Sequence, residues 1–333
     1  MVTDRQQLRP YCQTLSCQLF EDLQRLSPLL VVRLLLSLTA YAPWLLYALF
    51  TSWQQAQHWQ QLQTCQALIA RQRLAFTGID ASTLTVEWQS GGVSNINQIW
   101  RCRTSSGETV TYFVKVFVAV GSFWAKHLSL FSPFPRIEGE TEQERFTVDV
   151  ASRLQLAESG IPVPRPIAWD VVEKVMVTEY LEGETVDEIL QRIAAEQQVG
   201  GDEGEAIRQC GSNLAKVHQA GFSLIDSQPI NCIWVPGERK VYLTDFEFCT
   251  REDKRIWDVG FFLCFLAARL AGNLKNQVRQ IFLESYQKER PLNRAAVEQM
   301  SQEWSEYLPL MQVILDIRQF TPEELFEELL ISY

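Results

Sequence analysis

The chain has 333 residues, 47% hydrophobic and 21% charged, which supplies apolar surface for a large core in one two-lobed unit or two domains. A formal net charge of -10 without clustered Lys and Arg excludes a nucleic-acid surface, because phosphate neutralisation needs basic patches. Eight scattered cysteines with no C-x-x-C pair, and only three histidines, point to a reduced, cytoplasmic setting and no zinc site.

Residues 1–78 read as an N-terminal helical extension. Its start lacks a secretory layout, so export is not expected. Within it, 29–50 runs for 22 residues with Arg33 as the only charge, and Trp44, Tyr47 and Trp53 cluster toward one end. That length matches the ~20 apolar residues a bilayer core requires, with Arg33 near enough to the end to snorkel. Pro43, Ser37 and Thr39 fit a buried or interface helix equally, so both readings stay open. The expected membrane contact, if 29–50 is one, is at the inner face. Trp53, Ala56, Trp59, Leu62 and Ile69 continue at helical spacing, an amphipathic stretch toward lipid or a protein partner.

After Gly78 the period changes. Leu84, Val86 and Trp88 alternate with Thr and Glu, and 96–103 and 110–117 are β-rich runs separated by Ser105, Ser106 and Gly107, which predicts three antiparallel strands. Residues 138–159 read as a helix with Phe146, Val150, Leu154 and Ala157 on its apolar stripe and Gly160 ending it. The Pro-rich 161–166 cannot be helical and leads into a strand pair around 171–180. A sheet-rich lobe therefore occupies 79–182. From 183 to 333 the pattern is mostly helical, apart from strands near 232–235 and 240–243, and Thr321, Pro322 and Glu324 form a capping box that opens a last helix. The expected class is α+β, a small antiparallel sheet lobe with one helix followed by a larger helical lobe.

Gly91, Gly92, Ser94 and Asn95 lie between the first two strands, where glycines let the backbone approach a phosphate; a plain hairpin turn explains them as well. Lys115 sits in an otherwise apolar run, so its charge needs a partner, and a nucleotide phosphate braced by a helix carboxylate would supply one. Glu144 is favoured for that carboxylate, with Asp149 and Glu142 open, while an edge-strand Lys reaching solvent is the plain alternative. Glu179 belongs to 177–183, a connector whose backbone could hydrogen-bond an adenine. Asp226 and Asn231, followed by Asp245, place a base and two oxygen ligands for Mg²⁺ in the order a phosphoryl-transfer site uses.

With these residues in that order, the chain resembles the aminoglycoside phosphotransferase and choline kinase branch of the protein-kinase-like superfamily over roughly 84–270. Residues 91–95 are similar to that branch's Gly-Gly-x-Ser-Asn loop, and Asp245, Phe246, Glu247 and Phe248 to its Asp-Phe-Glu-aromatic metal motif. The resemblance implies the two-lobed protein-kinase-like fold and an ATP- and Mg²⁺-dependent phosphotransferase acting on a hydroxyl of an amino alcohol, a sugar or a lipid-linked sugar. Asp226 would be the base, Lys115 the phosphate anchor, and Asn231 and Asp245 the metal ligands. Trp257 and Asp258 resemble the helix that braces the catalytic loop, making Asp258 structural, and His218 a packed or capping residue. Gly160 to Pro164 also resembles a stretch of lipopolysaccharide kinases.

Two departures stand out. The position two before Asp226, usually His, is Leu224, which motivates the alternative of a catalytically silent, membrane-anchored nucleotide-binding pseudokinase. Only 13 residues separate Asp245 from Asp258, too few for the long segment on which protein kinases bind peptides, so a small-molecule acceptor is expected. Trp304 and Tyr307 are candidates to line its site.

Overall fold

The computed structural model describes residues 79–91, 95–117 and 141–315. The extension 1–78 with its apolar stretch 29–50, Gly92 and Ser94 of the glycine loop, the side chain of Tyr307 and the capping box at Thr321 lie outside the described residues.

The first three predicted strands form as β1 (Ile79–Gly91), β2 (Asn95–Thr104) and β3 (Thr109–Phe117). The β2 to β3 turn needs Gly107, whose φ of +86° is a left-handed conformation that costs a glycine little. β4 (Pro166–Asp170) and β5 (Val175–Glu179) complete an antiparallel sheet in the order β1-β2-β3-β5-β4. This pair begins earlier than expected from the sequence. Val171 and Val172 belong to its turn, where Asp170 Oδ1 accepts from Val172 N at 2.9 Å and from Glu173 N at 3.2 Å. Trp100, Cys102, Tyr112, Val114, Val116, Val175 and Val177 pack as the sheet's own core.

The inserted helix, α1 (Glu142–Glu158), starts at a reciprocal capping box of Thr141 and Glu144, four residues later than the sequence pattern suggested. Its buried residues are Arg145, Phe146, Asp149, Ser152, Arg153 and Leu156. Phe146 and Val150 of the apolar stripe pack inward, but Leu154 and Ala157 are exposed, so the stripe marks only one side of the inward face. That face is largely charged because it turns toward the cleft, where Lys115 demands carboxylates.

The second lobe contains α2 (Val186–Glu196), α3 (Gly201–Gln219), α4 (Arg255–Arg269), α5 (Gly272–Glu289) and α6 (Arg294–Leu315). A small sheet of β6 (Glu184–Thr185), β7 (Cys232–Val235) and β8 (Lys240–Leu243) runs along its cleft side. α3 and α5 approach closely at Gly211, where a Cβ would stand 2.2 Å from the Phe282 carbonyl oxygen, and Phe282 stacks on Phe262 of α4 at 4.3 Å. Leu156, Ile161 and Val163 join this lobe's core, and Leu243 N donates to Pro162 O at 2.9 Å. The Pro-rich segment thus ties the sheet lobe to the helical one. Among the described residues no helix is long and apolar enough to cross a membrane.

Candidate active site between the lobes

Strand register brings the first site residue into place. Lys115 on β3 pairs with Asn97 on β2 and Met176 on β5, so its side chain leaves the sheet on the face that α1 covers, and it is 5% exposed. Nζ lies 3.0 Å from Asp149 Oδ2, 2.5 Å from Asp245 Oδ1 and 3.4 Å from Glu247 Oε2. Burial works against the ammonium, but the charges of Asp245, Glu247 and Asp149 outweigh it and hold its pKa above the usual lysine value.

The carboxylate that α1 offers Lys115 is Asp149, not Glu144. Glu144 is exposed and spent on the helix cap, where its Oε2 accepts from Thr141 N at 3.0 Å. Glu142 lies 3.5 Å from Lys174, also off the site. Capping fixes the first turn of α1, and the next inward-facing acid is Asp149, further along the helix. Arg153, one turn on, grips Asp149 Oδ1 through Nε at 3.2 Å and Nη2 at 2.8 Å, while its Nη1 donates to Pro164 O. Burial disfavours the Asp149 carboxylate, yet Arg153 and Lys115 hold it below the ordinary range.

The loop before β7 is built around a strained residue. Ile225 has a φ of 65°, unusual for a β-branched side chain. Its peptide is clamped on both sides: Ile225 N donates to Asp258 Oδ1 at 2.7 Å, and Trp257 Nε1 donates to Ile225 O at 2.7 Å. Asp258 Oδ2 also accepts from Leu224 N at 2.7 Å and faces His218 Nε2 at 3.0 Å, while His218 Nδ1 meets the Tyr286 hydroxyl at 2.7 Å. Asp258 and His218 are thus buried bracing groups. Leu224 packs in the helical lobe's core, and bracing of the loop passes through main-chain groups instead of a side chain at that position.

Asp226 follows the strained residue. Its Oδ1 accepts from Gln228 Nε2 at 2.6 Å and its Oδ2 from Asn231 Nδ2 at 3.1 Å. Burial, then the charge of Asp245, pushes its pKa up to about 7 against those two hydrogen bonds. Asn231 ends a 3₁₀ turn (Pro229–Asn231), and its carbonyl accepts from Thr244 N at 2.9 Å and Thr244 Oγ1 at 3.1 Å. That pairing sets Asp245 beside Asn231, with Asp245 itself at a φ of 63°.

Lys115, Asn231 and Asp245 line one cavity of about 590 Å³, within the roughly 300–1,000 Å³ typical of ligand sites. Ile99 and Phe113 from the sheet and Ile230 and Ile233 from the helical lobe give it apolar walls, and the connector residues Glu179, Tyr180 and Leu181 border it. Glu179 is less available than the sequence suggests. Its N-H donates to Arg165 O at 3.0 Å and its Oε1 accepts from Arg165 N at 2.8 Å. Gly91 ends β1 and Asn95 begins β2, so both flank the glycine loop. Arg145, Asp149, Arg153 and Glu247 are the site neighbours that sequence reasoning left without a firm place. The available signal was a helix whose charges Arg145, Asp149 and Arg153 recur four residues apart beside its apolar stripe.

Asn231 commits its Nδ2 to Asp226, which leaves its side-chain Oδ1 as the group it can offer a cation. With the Asp245 carboxylate this is an all-oxygen pair of the kind hard cations take. Among the described residues no group of three or more His, Cys, Asp or Glu is arranged to hold a metal. These two residues therefore fit Mg²⁺ only with ligand oxygens completing the shell.

No family model matches the chain. It is 29% identical over 119 residues to the KEOPS complex subunit Bud32 of Pyrococcus abyssi, covering 36% of this chain and 51% of that protein. A probable serine/threonine-protein kinase BUD32 homolog of Archaeoglobus fulgidus is 27% identical over 126 residues, 37% of this chain and 57% of the relative. The 3-deoxy-D-manno-octulosonic acid kinase of Vibrio parahaemolyticus is 28% identical over 117 residues, 35% of this chain and 48% of that enzyme. The chain thus spans about half the length of the curated relatives it matches. Among solved structures, a WaaP in complex with acyl carrier protein aligns over 70% of this chain and 87% of that chain, at 14% identity and a TM-score of 0.43.

Proposed function

We propose that this chain, a member of the protein-kinase-like superfamily, is an ATP- and Mg²⁺-dependent phosphotransferase whose acceptor is the hydroxyl of a small molecule, a sugar above all. The observation that carries the reading is Lys115 held between Asp149 and Asp245 in the wall of a cavity also bordered by the connector between the lobes. Phosphoryl transfer asks little covalent chemistry of a protein and depends on positioning and electrostatics, which this arrangement supplies.

In this reading Lys115 donates to the nucleotide's phosphates while Asp149 keeps its amine in place. Tyr180 and Leu181 present main-chain groups to the base, since the amide of Glu179 is taken by Arg165. Asn231 and Asp245 hold Mg²⁺, which when bound neutralises charge on the phosphates. Asp226 receives the acceptor's hydroxyl proton; a carboxylate poised near neutrality suits a general base. Gln228 and Asn231 orient that carboxylate.

A small acceptor is supported by the segment after the metal motif. Cys249 N bonds back to Phe246 O, Thr250 pairs with Ser223, and α4 opens at Arg255, which leaves no docking strand for a peptide among the described residues. The sugar kinase among the relatives favours a sugar hydroxyl. The relative named as a probable serine/threonine-protein kinase favours a protein hydroxyl as the second reading. The silent-module alternative draws on Leu224, and the braced loop with its intact acid and ligands speaks against it. If 29–50 contacts a membrane, a lipid-linked sugar becomes the natural acceptor.

The test is turnover of ATP by the full-length protein against panels of sugars, amino alcohols and a generic protein substrate, with Asp245→Ala as control. Metal-dependent product with a sugar, abolished in the variant while circular dichroism shows the fold retained, is expected. Nucleotide binding without product on every acceptor would establish the silent module instead.

A further inference from the structure

Glu247 has no part in the phosphotransfer scheme above, yet its surroundings assign it a task whose catalytic consequence rests on that scheme. It belongs to the helical lobe, two residues after Asp245, but its carboxylate is 1% exposed and lies among residues of the sheet lobe. Oε2 accepts from Asn95 Nδ2 at 2.8 Å and from Arg145 Nη1 at 3.0 Å, and Lys115 Nζ stands 3.4 Å away. Arg145 closes the triangle by donating to Asn95 Oδ1 at 3.2 Å. Lys115 and Arg145 share the Phe117 ring, at 4.7 Å and 5.9 Å from its centroid.

Each corner comes from a different element. Asn95 opens β2 immediately after the glycine loop, Arg145 sits in the first turns of α1, and Glu247 lies between β8 and α4. A carboxylate serving a metal would face the cleft with Asn231 and Asp245. Glu247 is not among the residues that line the cavity, and it directs the same oxygen at three nitrogen donors. Buried ions are costly unless fully hydrogen-bonded, and such groups are best attested where they fix one arrangement over others. We propose that Glu247, Arg145 and Asn95 form an interlobe latch that fixes the start of β2 and α1 against the metal motif, with Glu247 a positioning residue and not a metal ligand.

Asn95→Leu tests the latch, because it removes the bonds that Glu247 and Arg145 make to the start of β2 and leaves Glu247 on Arg145 and Lys115. Amide hydrogen exchange of the nucleotide-free, full-length protein reads the latch directly. Asn95→Leu and Glu247→Gln are each expected to speed exchange at residues 95–98 and in the first turns of α1 about tenfold or more, as loss of a charge-assisted bond implies. The double variant should cost less than the sum of the two single ones, because both remove the Asn95 to Glu247 contact. In turnover assays both should raise KM for ATP more than they lower kcat, with the Mg²⁺ requirement at saturating ATP unchanged.

Additive effects, or unchanged exchange in either single variant, would overturn the latch. So would a Glu247→Gln variant that needs about tenfold more Mg²⁺ while exchange stays put, since that marks a metal ligand. If Glu247→Gln fails to fold, Arg145→Lys takes its place in the same cycle. Should the wild-type protein neither bind nor turn over ATP, the phosphotransfer reading falls, and the exchange cycle still decides the latch on its own.

Discussion

Replacing Asp149 by Asn changes one atom's chemistry at the centre of the site. Asp149 Oδ1 takes two bonds from Arg153 and Oδ2 takes one from Lys115 at 3.0 Å. An asparagine can keep its oxygen toward Arg153 but must then turn its NH₂ toward the Lys115 ammonium, donor against donor. Breaking a buried ion pair costs roughly 3–5 kcal/mol, and the lower end applies because Lys115 keeps Asp245 and Glu247. At about 2–4 °C per kcal/mol for a domain of this size, Tm should fall by ~6–12 °C. The amine also loses its helix-side restraint, so kcat/KM for ATP should drop by roughly 10–100-fold.

Glu144→Ala is the matched control. Glu144 is exposed and gives up one capping bond, a loss of about 0.5 kcal/mol that moves Tm by no more than ~2 °C and leaves kcat/KM in place. Thermal unfolding and ATP turnover on the two variants decide between the acids. A large catalytic loss in Glu144→Ala with none in Asp149→Asn would refute the assignment of Asp149. The pH dependence has a definite sign as well. Asp149 is held below its ordinary pKa, so its contribution is present above the unfolded carboxylate's pKa of about 3.9 and fades as pH falls through the folded value. The wild type should therefore lose stability in acid more steeply than Asp149→Asn.

Three further outcomes are expected. Leu224→His, which restores the side chain usual before the catalytic Asp, should not raise activity and should cost ~1–3 kcal/mol in chemical denaturation, because it buries an imidazole where Asp258 already serves His218 and two amides. For Asp226, kcat/KM should rise with pH through a midpoint near 7, and Gln228→Leu, by removing a bond that favours the carboxylate, should move that midpoint upward in the pH profile. The same raised pKa makes the nucleotide-free protein lose stability as pH climbs from the unfolded value of about 3.9 toward 7, after which that contribution is flat. Gly211→Ala should lower Tm by an amount set by ~1–3 kcal/mol of overpacking, since its new methyl would meet the main chain at Phe282.

Local pattern determined much of this molecule. Alternation gave β2 and β3 nearly to the residue and pointed to β1, with the turn residue Gly107 marking the break between β2 and β3. The spacing of Asp226, Asn231 and Asp245 was legible because the loop and the strand end that carry them are close in the chain and joined by Asn231 to Thr244. A lysine inside an apolar run announced that a partner must exist.

Which partner it has was decided by tertiary structure. Apolar periodicity gave only one side of the inward face of α1, for beside Phe146 that face carries Arg145, Asp149 and Arg153, whose charges pair within the helix and with Glu247 and Lys115. Glu247 read as one letter of a metal motif until folding carried Asn95 and Arg145 to it over separations of 152 and 102 residues. The bracing of Leu224 and Ile225 likewise depends on Asp258 and Trp257 arriving from α4. A sequence states which groups cannot be left alone in the interior; only the packed chain, by bringing distant elements within hydrogen-bonding distance, selects the atoms that satisfy them.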